Sequence, residues 1–269
     1  MHKEIGRLQF MAFAMAIFAV QWATNLQLAY TSDLFTILGA KSSQLSYLWL
    51  AAPITGLVIQ FLLGPISDAT QTSWGKRRPY LLVAGILFSI SVACLAYSHA
   101  LWVAVLLLWI LYLTQNASLA MTRALTGDIT PSTQLAPMYT LQTVFTALGA
   151  IFAGLIPLLL THFLPQVTAA TKGSLSPIVK GIFMVAGIVG LLGIVGLFVI
   201  VKETPAKIKR HTQGLKSFFQ DFASALRHIP TAIKFFFRPA IFYLVWTIYH
   251  LDFFSFCFSA TFLWLKGGR

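Results

Sequence analysis

The sequence predicts an all-α integral membrane protein with seven spans. Apolar residues fill 58% of its 269 positions and charged ones only 10%. The mean hydropathy of +0.79 is more than a soluble domain can expose to water. The apolar residues also gather into runs close to the roughly 20 residues that a helix needs to cross a bilayer. A formal net charge of +12 would suit a nucleic-acid binder. These cations, however, lie between the apolar runs, where basic residues fix topology instead.

The first run, residues 8–30, is too long and lacks the small-residue cleavage site of a removable signal peptide, so it reads as a true span. The second covers 46–66. The third, 80–97, is short and is expected to borrow a turn from its flanks. The fourth to sixth are 101–126, 138–162 and 178–201. Segment 202–238 is basic and places Leu215, Phe218, Phe219, Phe222, Leu226, Ile229 and Ile233 at three- and four-residue spacing. It reads as an amphipathic helix, either lying on the inner membrane surface or packed on the cytoplasmic ends of the spans. A seventh run, 241–265, follows. The organisation expected is a six-span unit over 1–201, a cytoplasmic connector over 202–238 and a further span within 239–269.

With the N-terminus inside, the cytoplasmic segments hold Lys3, Arg7, Lys76, Arg77, Arg78, Arg123 and the basic run from Lys202 to Arg238. Lys41, Lys172, Lys180, Lys266 and Arg269 are left outside. That imbalance predicts a cytoplasmic N-terminus. Cys94 and Cys257 both fall in apolar runs and suggest neither a disulfide framework nor a metal site. No CxxC, HExxH, GxSxG or phosphate-loop pattern occurs, which removes the motif case for a metalloprotease, a hydrolase or an ATP-driven pump. No cofactor is expected, and a gradient is the natural energy source.

The most informative stretch is the turn between the second and third runs. Gly64 and Gly75 permit tight backbone approach and left-handed geometry, Asp68 supplies a negative charge, and Lys76, Arg77 and Arg78 supply three positive ones. A short charged loop of this kind can lock or release the helices it joins. Asp128, near the end of the fourth run, is pulled toward its neutral form by a low-dielectric cavity and toward its charged form by a nearby arginine, here Arg123. The five-residue spacing sets the two about 140° apart on an ideal helix, so contact needs the arginine's reach or a cavity from another helix. The plainer reading is Arg123 snorkelling at a helix end, with Asp128 in the adjoining turn. Asn25, Gln27, Gln60, Gln115 and Asn116 are amides in apolar helices, able to hydrogen-bond a polar substrate or to glue helices together. Trp22, Tyr30 and Trp49 are candidate stacking surfaces or interfacial anchors. Asp33 reads as a solvated loop residue just past the first span.

The run from Trp49 through Gly64-Pro-Ile-Ser-Asp68, followed by Gly75-Lys-Arg-Arg-Pro-Tyr80, resembles the second span and following loop of sucrose/proton symporters and their bacterial relatives. These form part of the glycoside-pentoside-hexuronide branch of the major facilitator superfamily. The loop is similar to the signature GxxSDxxxxxxGRRRP and departs from it only at Lys76. Arg123-Ala-Leu-Thr-Gly-Asp128 resembles the RAxxxD segment of the sucrose type, and the exit Lys202-Glu203-Thr204-Pro205 also fits. The resemblance implies the N-terminal six-helix half of a major facilitator fold plus one further transmembrane helix. It implies a sugar/proton symporter working by alternating access, with Asp128 carrying the proton, Arg123 tuning it and the loop latching the inner gate. Melibiose-type members place paired aspartates in the second span for sodium; residues 46–66 contain no acid, so a proton is expected.

Such transporters have twelve spans, and the chain stops at Arg269 after the seventh, so a truncated or partial chain is expected. It would pair with a second copy or a separately encoded C-terminal half, or persist as a non-transporting remnant or scaffold. The expected location is a bacterial inner membrane.

Overall fold

The computed structural model describes residues 5–70, 72–163 and 175–203. Seven helices occupy them: α1 (Arg7–Ile37), α2 (Ser42–Leu48), α3 (Ala51–Ala69), α4 (Arg78–Leu95), α5 (Leu101–Ile129), α6 (Ser132–Phe163) and α7 (Pro177–Ile200). All except α2 are long and apolar enough to cross a membrane. They correspond to the first six predicted spans. The seventh span, His250 and Asp252 within it, and the connector beyond Glu203 lie outside the described residues.

Proline sets several helix boundaries. The expected second span divides at Trp49 and Leu50, which puts Pro53 in the first turn of α3, where its missing N–H would find no partner anyway. Thr130, before Pro131, is extended at φ −84°, ψ 128° and ends α5. Pro79 and Pro177 sit in the first turns of α4 and α7, and the Ser176 hydroxyl caps α7 by accepting the Val179 N–H at 3.3 Å. Helix α1 runs a further two turns beyond Tyr30, so Asp33 is an exposed helical residue and not part of a loop.

Helix α1 packs on α6 and α7, α4 packs on α5 and α7, and α3 packs on α5. The core draws Phe13, Leu26 and Phe35 from α1, Leu81 and Phe88 from α4, Leu108, Leu111 and Leu125 from α5, and Phe183 and Leu197 from α7. Trp22 stacks on Phe18 at 6.4 Å and Tyr30 meets Phe183 edge to face at 6.3 Å, so both work as packing groups here. Helix α1 is the most buried span, and α3 and α6 are the least.

Glycine allows two of these crossings. A Cβ on Gly149 would lie 2.9 Å from both the Phe18 carbonyl oxygen and the Trp22 amide nitrogen, and one on Gly187 would lie 2.8 Å from the Ser89 carbonyl oxygen. Backbone cannot yield to such contacts as a side chain can. Gly154 has nothing within 4 Å of the same construction and performs no such role among the described residues. Thermal unfolding of the detergent-solubilised chain should therefore show Gly149→Val destabilised by about 1–3 kcal/mol, whereas Gly154→Ala should hold or slightly raise the midpoint. Equal loss in both would contradict the α1–α6 contact.

Candidate functional site

The site forms where the loop between α3 and α4 meets the far ends of α5 and α7. The loop turns at Gly75, whose φ of +104° falls in the left-handed region that side chains disfavour. The Thr72 hydroxyl fastens the turn by donating to the Gly75 carbonyl oxygen at 2.5 Å. Gly64, by contrast, is an ordinary residue of α3, and its contribution is its carbonyl.

Arg77 is the centre of the site. Its side chain is only 9% exposed. Its Nη2 donates to Asp68 Oδ1 at 2.6 Å and its Nε to Asp128 Oδ2 at 3.1 Å. Nη1 donates to the Gly64 carbonyl at 3.3 Å and to the Ser67 hydroxyl. One guanidinium fork thus ties the end of α3 to the end of α5. Lys76 bridges the same two carboxylates, its Nζ 3.3 Å from Asp68 Oδ1 and 3.1 Å from Asp128 Oδ2. Two cations face two anions, so the cluster is neutral as a whole.

Helix α7 holds the other side of the loop. Glu203 Oε2 accepts the Arg77 amide N–H at 2.9 Å and the Arg78 amide N–H at 3.4 Å, and so supplies the cap that α4 lacks in its own sequence. A Cβ on Gly75 would lie 2.6 Å from the Glu203 carboxyl carbon, so the carboxylate reaches the loop only because residue 75 is glycine. Arg78 answers in the opposite sense. It donates to the Phe198 carbonyl at the end of α7 and to the Trp74 carbonyl, and its guanidinium lies 4.3 Å above the Phe198 ring.

These contacts change the sequence reading in three places. Asp128 lies inside α5, not in an adjoining turn, and its ion partners are Lys76 and Arg77. Arg123 is exposed and makes no described ion pair, because five residues on a helix point it away from Asp128. Arg78 stands outside the ion cluster and serves α7. Glu203, which the sequence reading places in the exit Lys202-Glu203-Thr204-Pro205, has no contact that the sequence alone assigns. Its bonds span 125 and 126 residues, a distance that local spacing cannot reveal.

The amides divide by role. Asn116 of α5 donates to the Thr55 hydroxyl of α3 at 3.2 Å and to the Tyr112 carbonyl, and so joins two helices. Asn25 donates to the Gln21 carbonyl within α1. Gln27 is fully buried and donates to Thr31 at 2.7 Å, while its Oε1 accepts no hydrogen bond among the described residues. Gln115 is buried in α5. The Gln60 side chain lies outside the described residues. Gln142 of α6, which sequence reading does not single out, donates to the Thr126 hydroxyl of α5 at 2.8 Å. Among the described residues no three His, Cys, Asp or Glu gather as a metal site.

Residues 10–266 match the family model described as Major Facilitator Superfamily. A sucrose transport protein of Oryza sativa subsp. japonica is 30% identical over 148 residues, covering 47% of this chain and 27% of the rice protein. A sucrose transport protein of Arabidopsis thaliana is 38% identical over 79 residues, or 29% of this chain and 13% of that protein. The general alpha-glucoside permease of Schizosaccharomyces pombe is 30% identical over 91 residues, or 34% and 16%. The matched stretch thus spans less than a third of the length of each of these relatives.

A double-mutant cycle on unfolding separates the two possible partners of Asp128. Arg77→Ala with Asp128→Asn should show a coupling of about 0.5–3 kcal/mol, whereas Arg123→Ala with Asp128→Asn should be additive within about 0.5 kcal/mol. The reverse pattern would restore Arg123 as the partner.

Proposed function

Because the chain belongs to the Major Facilitator Superfamily, a family of membrane transporters and not of enzymes, we propose that it carries out secondary transport of a disaccharide or related glycoside, driven by a proton gradient through alternating access. Relatives named for sucrose transport and for alpha-glucosides support the substrate class. The observation that carries the mechanism is the sharing of Arg77 between Asp68 and Asp128. Together with Glu203, this pairing latches the ends of α3, α4, α5 and α7.

Asp128 is the proton acceptor in this reading. A proton on its carboxylate removes the negative charge that faces Arg77 and Lys76, and leaves both cations to the more exposed Asp68 alone. The end of α5 is then free to part from the loop. The same helix carries Asn116, twelve residues and therefore about 18 Å away along the axis. A sugar hydroxyl that takes the Asn116 amide competes with the Thr55 hydroxyl of α3, and Gln27 Oε1 offers a buried acceptor nearby on α1. Sugar and proton then bias the same α3–α5 contact from its two ends, which is the condition for coupling. Arg123 takes no direct part in this scheme.

We place the latch at the cytoplasmic face, because Lys76, Arg77, Arg78, Arg123 and Lys202 gather at that end of the spans. A bacterial inner membrane is the setting that fits our reading of the sequence. Proteoliposomes containing the chain should accumulate sucrose or maltose under an imposed inward proton gradient. Asp128→Asn should reduce that accumulation to the level of empty liposomes while sparing membrane insertion and sugar exchange without a gradient. Undiminished accumulation in Asp128→Asn would overturn the assignment.

A further inference from the structure

A groove of about 580 Å³ opens at the end of the spans opposite the latch, where α4 ends, α5 begins and α7 passes. Its walls are almost wholly apolar and include Ala93, Val103, Leu107 and Met184, with Tyr97 and His99 at its rim. It lies at helix ends, where spans meet the membrane surface: Leu95 closes α4, Leu101 starts α5, and Trp102 beside them is 71% exposed, as interfacial aromatics are. In a bilayer, such a slot is filled by lipid chains.

One charge at the rim selects among lipids. Lys180, one turn before Met184 on α7, holds its Nζ 5.8 Å from the centre of the Tyr97 ring, which brings a cation to the mouth of the groove. None of the described ion pairs includes Lys180. A cation resting on an aromatic face at the membrane surface retains its attraction for a phosphate. We propose that this groove binds an anionic phospholipid, with one acyl chain along Ala93, Leu107 and Met184 and the headgroup phosphate on Lys180. A zwitterionic lipid offers the same chain but sets its own cation beside Lys180, so the groove favours a net negative headgroup. The proposal depends on the spans lying in a bilayer and not on any transport activity.

Cys94 is exposed on the groove wall and provides a local reporter. In the full chain carrying Cys257→Ser, maleimide labelling of Cys94 would be timed in neutral detergent with added dioleoylphosphatidylglycerol or dioleoylphosphatidylcholine. We expect the anionic lipid to slow labelling at about one-tenth of the concentration needed for the zwitterionic one, equivalent to about 1.4 kcal/mol. Lys180→Gln should abolish that preference and Lys180→Arg should keep it. If Lys180→Gln fails to fold, salt gives the same answer in the unmodified rim: high ionic strength should remove the preference. Equal protection by both lipids, no protection by either, or a preference that survives Lys180→Gln or high salt would overturn the proposal.

Discussion

Burying one arginine between two carboxylates is the interaction on which the rest of this structure depends. An isolated guanidinium at 9% exposure would be costly, and the cost is offset only if its donors all find acceptors. Each of the three guanidinium nitrogens of Arg77 finds an acceptor, among Asp68, Asp128, Ser67 and the Gly64 carbonyl, which fixes the ends of α3 and α5 relative to the loop. The loop in turn must present Arg77 in one orientation. It does so through the left-handed turn at Gly75 and the Glu203 carboxylate that caps the amides beside it. Charge, backbone conformation and helix capping are therefore parts of one requirement. Removing any of them leaves a buried polar group without its partner.

The exposure of the cluster is graded from its centre to its rim. Lys76, Asp68 and Asp128 are each more exposed than Arg77, at 25%, 55% and 31% of their side chains, so water and protons reach the rim of the cluster while its centre stays dry. Pairs at a fully exposed surface contribute little, and fully buried pairs seldom open. A half-sheltered pair lies between these limits, which is the premise of the switch we propose. Helix α5 gives that switch a long lever, since Asn116 and Asp128 belong to the same continuous helix.

Much of this is legible in the sequence because the signals are local. Span positions follow from runs of apolar residues, although the break at Trp49 and Leu50 ahead of Pro53 lies inside one such run. The latch loop announces itself through glycine and charge spacing between two such runs. What is not legible is who meets whom across the fold. The resemblance to the RAxxxD segment pairs Asp128 with Arg123, the nearest cation along the chain, whereas its partners come from a loop some fifty residues earlier. Glu203 reaches back more than a hundred residues. Asn116 and Thr55 meet only because α3 crosses α5. Gly64 and Gly75 look equivalent in sequence, yet only the second needs the freedom of glycine, since helix α3 continues through the first. Helix–helix partners depend on packing, and no periodicity within one segment specifies them.

The most direct measurement is a distance across the latch. Spin labels at Ser73 on the loop and Thr133 at the start of α6, in a chain with Cys94 and Cys257 replaced by serine, would report the separation in lipid nanodiscs. With Asp128 intact, a single short distance is expected. Asp128→Asn, which mimics the protonated acid, should lengthen and broaden it, and Arg123→Ala should leave it unchanged. An unchanged distance in Asp128→Asn, or an opening caused by Arg123→Ala, would contradict the pairing of Arg77 with Asp128 as the element that holds the latch closed.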